Sequence, residues 1–489
     1  MTHTRSLVAS SLFWKFMERG GTQGIQFFVQ IILARLLVPE QFGTIALIMV
    51  FINFAQVFVQ SGFNIALIQK KDADEIDFCS VFYLSLGVAG VLYILVFLTS
   101  PLIASFNNDP MLTPVLRVLS LTLFFGAYNS IQNAYIARNL MFKKLFTSSL
   151  GAMFFSGILG IIAAYQGLGI WALVVQQLCN QIAITLILMF VVDWKPKLIF
   201  SFDRVKTLFS YGGKLLASQL LNVLYMDLRT LIIGRIYSPS MLGYYNRGQQ
   251  FPQVIVSNID GSIQSVMLPT LASQQDNRQR VKEMMRRAIV SSSFLIFPMM
   301  IGMAVVAEPL VRVVLTDKWL PAVPFLQIFC MSYALMPIHT ANLQAINALG
   351  RSDIFLKLEI VKKITGLIIL AISLPFGVHV IAMGQVVSGI ISTFINAFPN
   401  KKLLDYSYVE QWKDIVPSLL IAVLMGFVVY LFNFVGLIAW QQLILQVVVG
   451  VIVYIGLAKL FGLQSFAYLL TTVSELSKQR RTAILCTKD

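Results

Sequence analysis

Apolar runs of about 20 residues recur along the whole chain, separated by short polar connectors rich in lysine and arginine. Each run is long enough to cross a hydrocarbon layer of ~30 Å at about 1.5 Å per residue. The pattern predicts helices over 11–37, 40–64, 78–104, 113–138, 142–166, 168–192, 206–236, 239–271, 284–311, 320–348, 354–375, 378–399, 412–434 and 436–461. Barrel strands are excluded because the runs are too long and too uniformly apolar. The expected fold class is therefore an all-α integral membrane protein with about 14 transmembrane helices.

The connectors set an orientation. With the N-terminus in the cytoplasm, the inside connectors carry Lys70 and Lys71, then Arg138, Lys143 and Lys144, then Lys195, Lys197, Arg204 and Lys206. Arg278, Arg280, Lys282, Arg286 and Arg287 follow, and later Arg351, Lys357, Lys401, Lys402 and Lys413. The outside connectors hold little beyond Arg312 and Lys318. An error of one helix scrambles this alternation, so the asymmetry predicts an even count with both ends inside. Residues 463–478 read as an amphipathic helix on the inner surface.

The chain also reads twice. Leu33–Gly43 (LARLLVPEQFG) parallels Ile233–Gly243 (IGRIYSPSMLG), so that Arg35, Pro39 and Gly43 recur as Arg235, Pro239 and Gly243 at an offset of 200. In both, a helix ends, a proline turns the chain and a new helix begins. Arg138, Phe142 and Lys144 recur as Arg351, Phe355 and Lys357. The expectation is a six-helix lobe over 1–200, a second over 201–400, and an added pair of helices with a tail over 401–489. Both repeats start on the same side, so they are parallel, and transporters built this way bind substrate near the repeat interface.

Composition changes little in this picture. Hydrophobic residues make up 57% of the 489 and charged residues 12%, about half the charged share of a soluble domain. The net charge of +15 does not point to nucleic acid, because the basic residues sit between apolar runs, where they orient helices. Cys79, Cys179, Cys330 and Cys486 are scattered without a CxxC pair or metal-ligand spacing, so neither a metal nor another cofactor is expected. Lys15, Glu18 and Arg19 interrupt the first apolar stretch, which reads as a retained helix rather than a cleaved leader.

Polar residues inside the runs carry the candidate chemistry. The first helix places Lys15, Arg19, Gln23, Gln26 and Gln30 on one face, in steps of 4, 4, 3 and 4. The seventh repeats those steps with Lys214, Ser218, Asn222, Tyr225 and Arg229. The second helix has Asn53, Gln56, Gln60 and Asn64, and its counterpart has Gln253, Asp260 and Gln264, with Arg247 nearer the outside. A stripe of amides also serves as glue between membrane helices. Charges are different, because a cation at mid-membrane costs a few kcal/mol and faces a wet cavity or a partner (roughly 2.5–3.5 on insertion scales). Lys15 and Lys214 have the alternative of snorkelling to the inner surface.

Cations outnumber acids in these spans. A cavity formed by Lys15, Arg19, Lys214, Arg229 and Arg247, lined by Gln23, Gln26, Gln30, Asn53, Gln60, Asn222, Gln253 and Gln264, suits an anionic, hydroxyl-rich cargo. Glu18 beside Arg19 and Asp227 beside Arg229 read as local charge partners. Asp260 is the least obviously paired acid, and Glu18, Asp227 and Asp260 are the candidates for ion coupling. His339 reads as a packed, hydrogen-bonded residue before it reads as a proton site.

The stretches LARLLVPEQFGTIAL (33–47), QSGFNIALIQKKDADEIDF (60–78), GYYNRGQQFPQVIVSNIDGSIQSVMLPTLASQQDN (243–277), LTDKWLPAVPFLQIFC (315–330) and ALGRSDIFLKLEIVKK (348–363) resemble the polysaccharide-transport branch of the multidrug/oligosaccharidyl-lipid/polysaccharide (MOP) exporter superfamily. These are the Wzx-type and colanic-acid-type lipopolysaccharide flippases. The resemblance implies a MATE-like fold of two six-helix lobes plus helices 13 and 14. It implies movement of an undecaprenyl-diphosphate-linked oligosaccharide (O-antigen, capsule or exopolysaccharide repeat unit) from the cytoplasmic to the periplasmic leaflet of the bacterial inner membrane. The partners so implied are the lipid-linked substrate, membrane lipids and polysaccharide polymerase or export machinery. No invariant catalytic motif comes with it, and no enzyme activity. The competing readings are a cation-coupled multidrug or toxin antiporter, disfavoured by the basic residues, and a membrane glycan polymerase or ligase, disfavoured by the short outside connectors and the repeat.

Overall fold

A computed structural model of the chain describes residues 2–60, 63–70, 72–463 and 465–466. Among them there are helices and no strands: α1 (Thr2–Leu36), α2 (Pro39–Gln60), α3 (Phe63–Gln69), α4 (Glu75–Asn107), α5 (Leu112–Leu119), α6 (Thr122–Arg138), α7 (Phe142–Tyr165), α8 (Ile170–Val191) and α9 (Phe202–Ile236). They continue as α10 (Pro239–Ala272), α11 (Arg278–Val305), α12 (Ala307–Val314), α13 (Val323–Ala334), α14 (Met336–Ala348), α15 (Ser352–Ser373), α16 (Val378–Leu404), α17 (Tyr408–Leu431) and α18 (Ala439–Leu460). Each of the fourteen predicted segments falls on a helix or on a helix pair. Among the described residues, 11 helical stretches are long and apolar enough to cross a membrane. α1, α10 and α15 are not among those; they carry Lys15 and Arg19, Arg247 and Asp260, and Lys362 and Lys363. Most of the predicted surface helix at 463–478 lies outside the described residues.

Three predicted spans are interrupted. The fourth breaks between α5 and α6, the ninth at Val306 between α11 and α12, and the tenth at Leu335 between α13 and α14. At the last, Pro337 stands in the first turn of α14, where its missing N–H costs nothing because the first turn has no intrahelical acceptor for it.

The chain divides into two compact units, Met1–Gly243 and Tyr244–Asp489. In the first, α1 runs along α7, α7 pairs with α8, and α2 packs on α4, α6 and α9. The α7–α8 turn uses Gly167 and Gly169 at φ of 76° and 58°, a left-handed region that only glycine enters without strain. α2 and α10 each open on a proline, Pro39 and Pro239, whose fixed φ suits the first helical position. A methyl on Gly43 would run into the carbonyl oxygen of Pro239, and one on Gly243 into that of Pro39. The two turns matched in sequence thus pack on each other reciprocally.

Apolar residues cover the outside. On α4, Val91, Ile94, Leu98 and Leu102 are 59–70% exposed, in steps of 3, 4 and 4 along one face. In water such a stripe is an aggregation hazard; in lipid it is the expected surface. Polar groups are found inside instead. Gln132 is buried and donates from Nε2 to Tyr128 Oη at 2.8 Å and to the Trp194 carbonyl at 3.2 Å. In the second unit, where α11 packs on α13, α14 and α17, Asn342, Asn400 and Gln411 form a buried amide triad with bonds of 2.7–3.0 Å.

Ion pairs gather where α4 begins. Lys70 Nζ holds both oxygens of the buried Asp77 at 2.7 and 2.6 Å, and Arg204 reaches Asp74 at 3.3 Å. Arg138 donates to the Leu67 and Lys70 carbonyls at 2.9 and 2.5 Å. Asp74 caps α4 through a reciprocal pair of bonds with Asp77. The Asp77 N–H, followed by its side chain and the charges of Arg204 and Lys70, holds the Asp74 carboxyl below its ordinary value of 3.8. A depressed folded pKa gives a contribution present above the unfolded value and lost as pH falls below it. Asp74→Ala is therefore expected to lower the thermal midpoint near neutral pH by the equivalent of about 0.5–2 kcal/mol. That gap from wild type should close as the pH is taken below 3.8; a constant offset across the series counts against the cap.

Candidate functional site

The polar face of α2 separates two hollows in the first unit. On one side lies a chamber of about 270 Å³. α1 contributes Gln26 and Gln30 to it, α2 contributes Asn53, Gln56 and Gln60, and α8 contributes Gln176, Gln177, Asn180 and Gln181. Thr122, Met49, Ile52 and Met153 complete the lining. On the other side, Asn53, Gln56 and Gln60 face α9 across a cleft of about 360 Å³, whose far wall holds Gln219, Asn222 and Asp227.

Local packing shapes the chamber. Gln56 fits because residue 126 is glycine; a methyl there would strike its side-chain amide. Gly160 does the same for Gln176, whose Cβ would lie 2.6 Å from an added methyl. Gln181 is fixed from behind, accepting from Asn129 Nδ2 at 3.1 Å, while Thr185 donates to Asn129 Oδ1 at 2.9 Å.

Of the predicted polar lining, Gln26, Gln30, Asn53 and Gln60 meet in the chamber, and Asn53, Gln60 and Asn222 meet in the cleft. Lys15, Arg19, Gln23, Lys214 and Arg229 line neither hollow. Lys15 is exposed and pairs with Glu18 at 2.9 Å; Arg19, expected as the partner of Glu18, is exposed on the same helix. Lys214 is exposed on α9. Arg229 lies over the Tyr225 ring at 5.8 Å. Asp227 makes no ion pair with it and receives a hydrogen bond from Asn53 instead.

In the second unit, Arg247 is buried against Trp319, 5.3 Å from the ring centroid, and donates to Gln250 Oε1 at 2.5 Å. Gly248 brings α10 so close to α13 that an added methyl would lie 2.7 Å from Phe325 Cβ. Gln253 and Gln264 are exposed, and Asp260 is buried. Asp260 accepts from Gln264 Nε2 at 2.8 Å and from the Thr340 hydroxyl. His339 shares a 3.1 Å hydrogen bond with Asn396.

The α8 amides and Gln219 were missed by the sequence reading, and so was the buried Asp77. The signal for α8 was present: Gln176 and Asn180, like Gln177 and Gln181, stand four apart on one helical face. Among the described residues no group of His, Cys, Asp or Glu side chains has the arrangement of a metal site.

Residues 32–324 match the family described as "Polysaccharide biosynthesis protein". The chain belongs to this family. It is 27% identical over 415 residues to the lipopolysaccharide biosynthesis protein WzxC of Escherichia coli (strain K12), covering 81% of this chain and 83% of that one. It is 24% identical over 334 residues to the succinoglycan biosynthesis transport protein ExoT of Rhizobium meliloti (strain 1021), covering 67% of each. Among solved structures, the Lipid II flippase MurJ in its inward closed conformation superposes with a TM-score of 0.74 at 17% identity, over 92% of this chain and 98% of MurJ. The chain thus shares its fold with MurJ, and this family member is a multi-pass membrane protein.

Proposed function

We propose that this member of the polysaccharide biosynthesis family is a flippase. It moves an undecaprenyl-diphosphate-linked oligosaccharide from the cytoplasmic to the periplasmic leaflet of the inner membrane by alternating access, making and breaking no covalent bond. Fourteen crossings with both termini in the cytoplasm, and lobes over 1–200 and 201–400, belong to the same reading. The observation that carries it is the concentration of uncharged amides around α2, contributed in part by α1 and α9, the helices that bear Arg19 and Arg229. Amides match sugar hydroxyls, since both donate and accept, and guanidinium groups match diphosphate oxygens. Relatives named for lipopolysaccharide and succinoglycan biosynthesis, and the fold shared with a lipid II flippase, support the same cargo class.

In this proposal Lys15, Arg19, Lys214 and Arg229 meet the diphosphate, with the amides around the glycan and the polyprenyl chain left in lipid. Asp260, Glu18 and Asp227 are the candidates for ion coupling, and a polymerase or export complex receives the product. The test is lipid-linked oligosaccharide in cells with and without the protein, resolved by leaflet. Accumulation on the cytoplasmic side in its absence, cleared by the wild-type chain, is the expected result. Unchanged levels in both leaflets defeat the glycolipid cargo.

A further inference from the structure

The chamber among α1, α2 and α8 has a composition unlike an adhesive helix contact. Nine of its thirteen lining residues are Asn or Gln, one is Thr, three are apolar, and none is ionised. Amides that glue membrane helices spend their hydrogen bonds on the neighbouring helix, as Asn129 does with Gln181 and Thr185. Gln26 and Gln60 are instead exposed; Asn53 donates to Asp227 of α9 and still borders the hollow. They line a polar hollow. The glycines at 126 and 160 leave room for Gln56 and Gln176 to reach it. Side chains seated by such close packing are held in place for a ligand rather than left to chance.

We propose that this chamber is a sugar-reading subsite that accepts one or two uncharged pyranose rings of the cargo, separately from the residues that meet its diphosphate. The inference rests on the glycolipid reading above and deepens it. The absence of any ionised group in the lining gives an anion nothing to pair with and a cation no counter-charge. Met49, Ile52 and Met153 offer too little apolar wall for a polyprenyl chain or a hydrophobic drug. Every sugar hydroxyl both donates and accepts, and so does every carboxamide. A volume of about 270 Å³ falls just below the ~300–1,000 Å³ of ordinary small-molecule pockets, which suits one or two rings and excludes a whole repeat unit. Asn53, Gln56 and Gln60 also face the cleft toward α9, so the following sugars have a continuous polar wall to lie along. A site that hydrogen-bonds hydroxyls rejects an analogue lacking them far better than an apolar pocket rejects an extra methylene. The subsite is thus the place where one glycan is told from another.

The test uses the full-length chain in lipid nanodiscs and two kinds of probe. The first is a set of neutral methyl glycosides, comprising hexosides and N-acetylhexosaminides, read by saturation-transfer NMR. The second is inorganic pyrophosphate, read by phosphorus line broadening. Gln26→Leu with Gln177→Leu removes two chamber amides, and the expected effect is glycoside contact weakened about tenfold with pyrophosphate broadening retained. Gly126→Ala, which displaces Gln56 and deletes no polar group, should weaken glycosides in the same way. Arg19→Gln with Arg229→Gln should show the reverse pattern. Glycoside contact that is absent from wild type, or unchanged in both chamber variants, overturns the subsite. Joint loss of both probes in the chamber variants overturns its independence from the diphosphate site. Pyrophosphate that fails to bind wild type while glycosides bind removes the cationic head-group reading and leaves the subsite standing.

Discussion

Neutral replacement of Arg19 and Arg229 together should abolish export while leaving protein levels in the membrane unchanged. Arg19 is exposed on α1 and makes no ion pair among the described residues, and Arg229 rests over Tyr225 rather than on Asp227. Removing either guanidinium therefore breaks no internal ion pair, which is why folding should survive. Function should not. A hydrogen bond to a charged group is worth about 1.5–3 kcal/mol, so each swap is expected to cost roughly 10–100-fold in engagement of a diphosphate, and the two together bring export below detection. Arg→Lys at both positions keeps the charge and loses the planar fork, and should restore part of the activity. The readout is surface polysaccharide against membrane-inserted protein. Export near the wild-type level from the double Gln variant refutes a diphosphate role for both residues.

The positions of the helices were legible because the apolar runs are long and the connectors are basic. Charge pairing was not, for a geometric reason. Sequence neighbours on a helix point about 100° apart, whereas residues three or four apart share a face. Glu18 accordingly meets Lys15, three residues back, and not the adjacent Arg19. Asp227 and Arg229, two apart, point to different sides, so one meets Asn53 of α2 and the other the Tyr225 ring four residues back. The faces of α1 and α9 were found by following charges and that of α2 by its amides at helical spacing, and the uncharged α8 cluster escaped. Arg247 illustrates another limit: sequence marks it as a cation in a span, and only packing reveals Trp319 beneath it. Asp77 lies in a stretch dense with charge and reads as a solvated connector, yet it is the one that Lys70 and the α4 cap enclose.

The reciprocal turns carry the largest expected effect on stability. Gly43 and Gly243 each lie against the carbonyl of the other turn's proline, so an added methyl meets backbone, which cannot swing away as a side chain does. Overpacking of this kind costs typically about 1–3 kcal/mol. Gly43→Ala and Gly243→Ala are each expected to lower the thermal midpoint in nanodiscs and to reduce the yield of folded protein. Gly24→Ala supplies the opposite sign: a methyl added there would meet nothing within 4 Å, and alanine is favoured over glycine in a helix interior by up to about 1 kcal/mol. The two damaging changes act on one junction, so their combination should cost less than their sum, because turns already parted by one methyl admit the second. Equal penalties at 43 and 243, with that shortfall in the double variant, are what a twofold relation between the two turns requires, since in such packing each partner presents the same surface. A large penalty at one glycine and none at the other would show that the offset of 200 is a likeness of sequence without a matching contact.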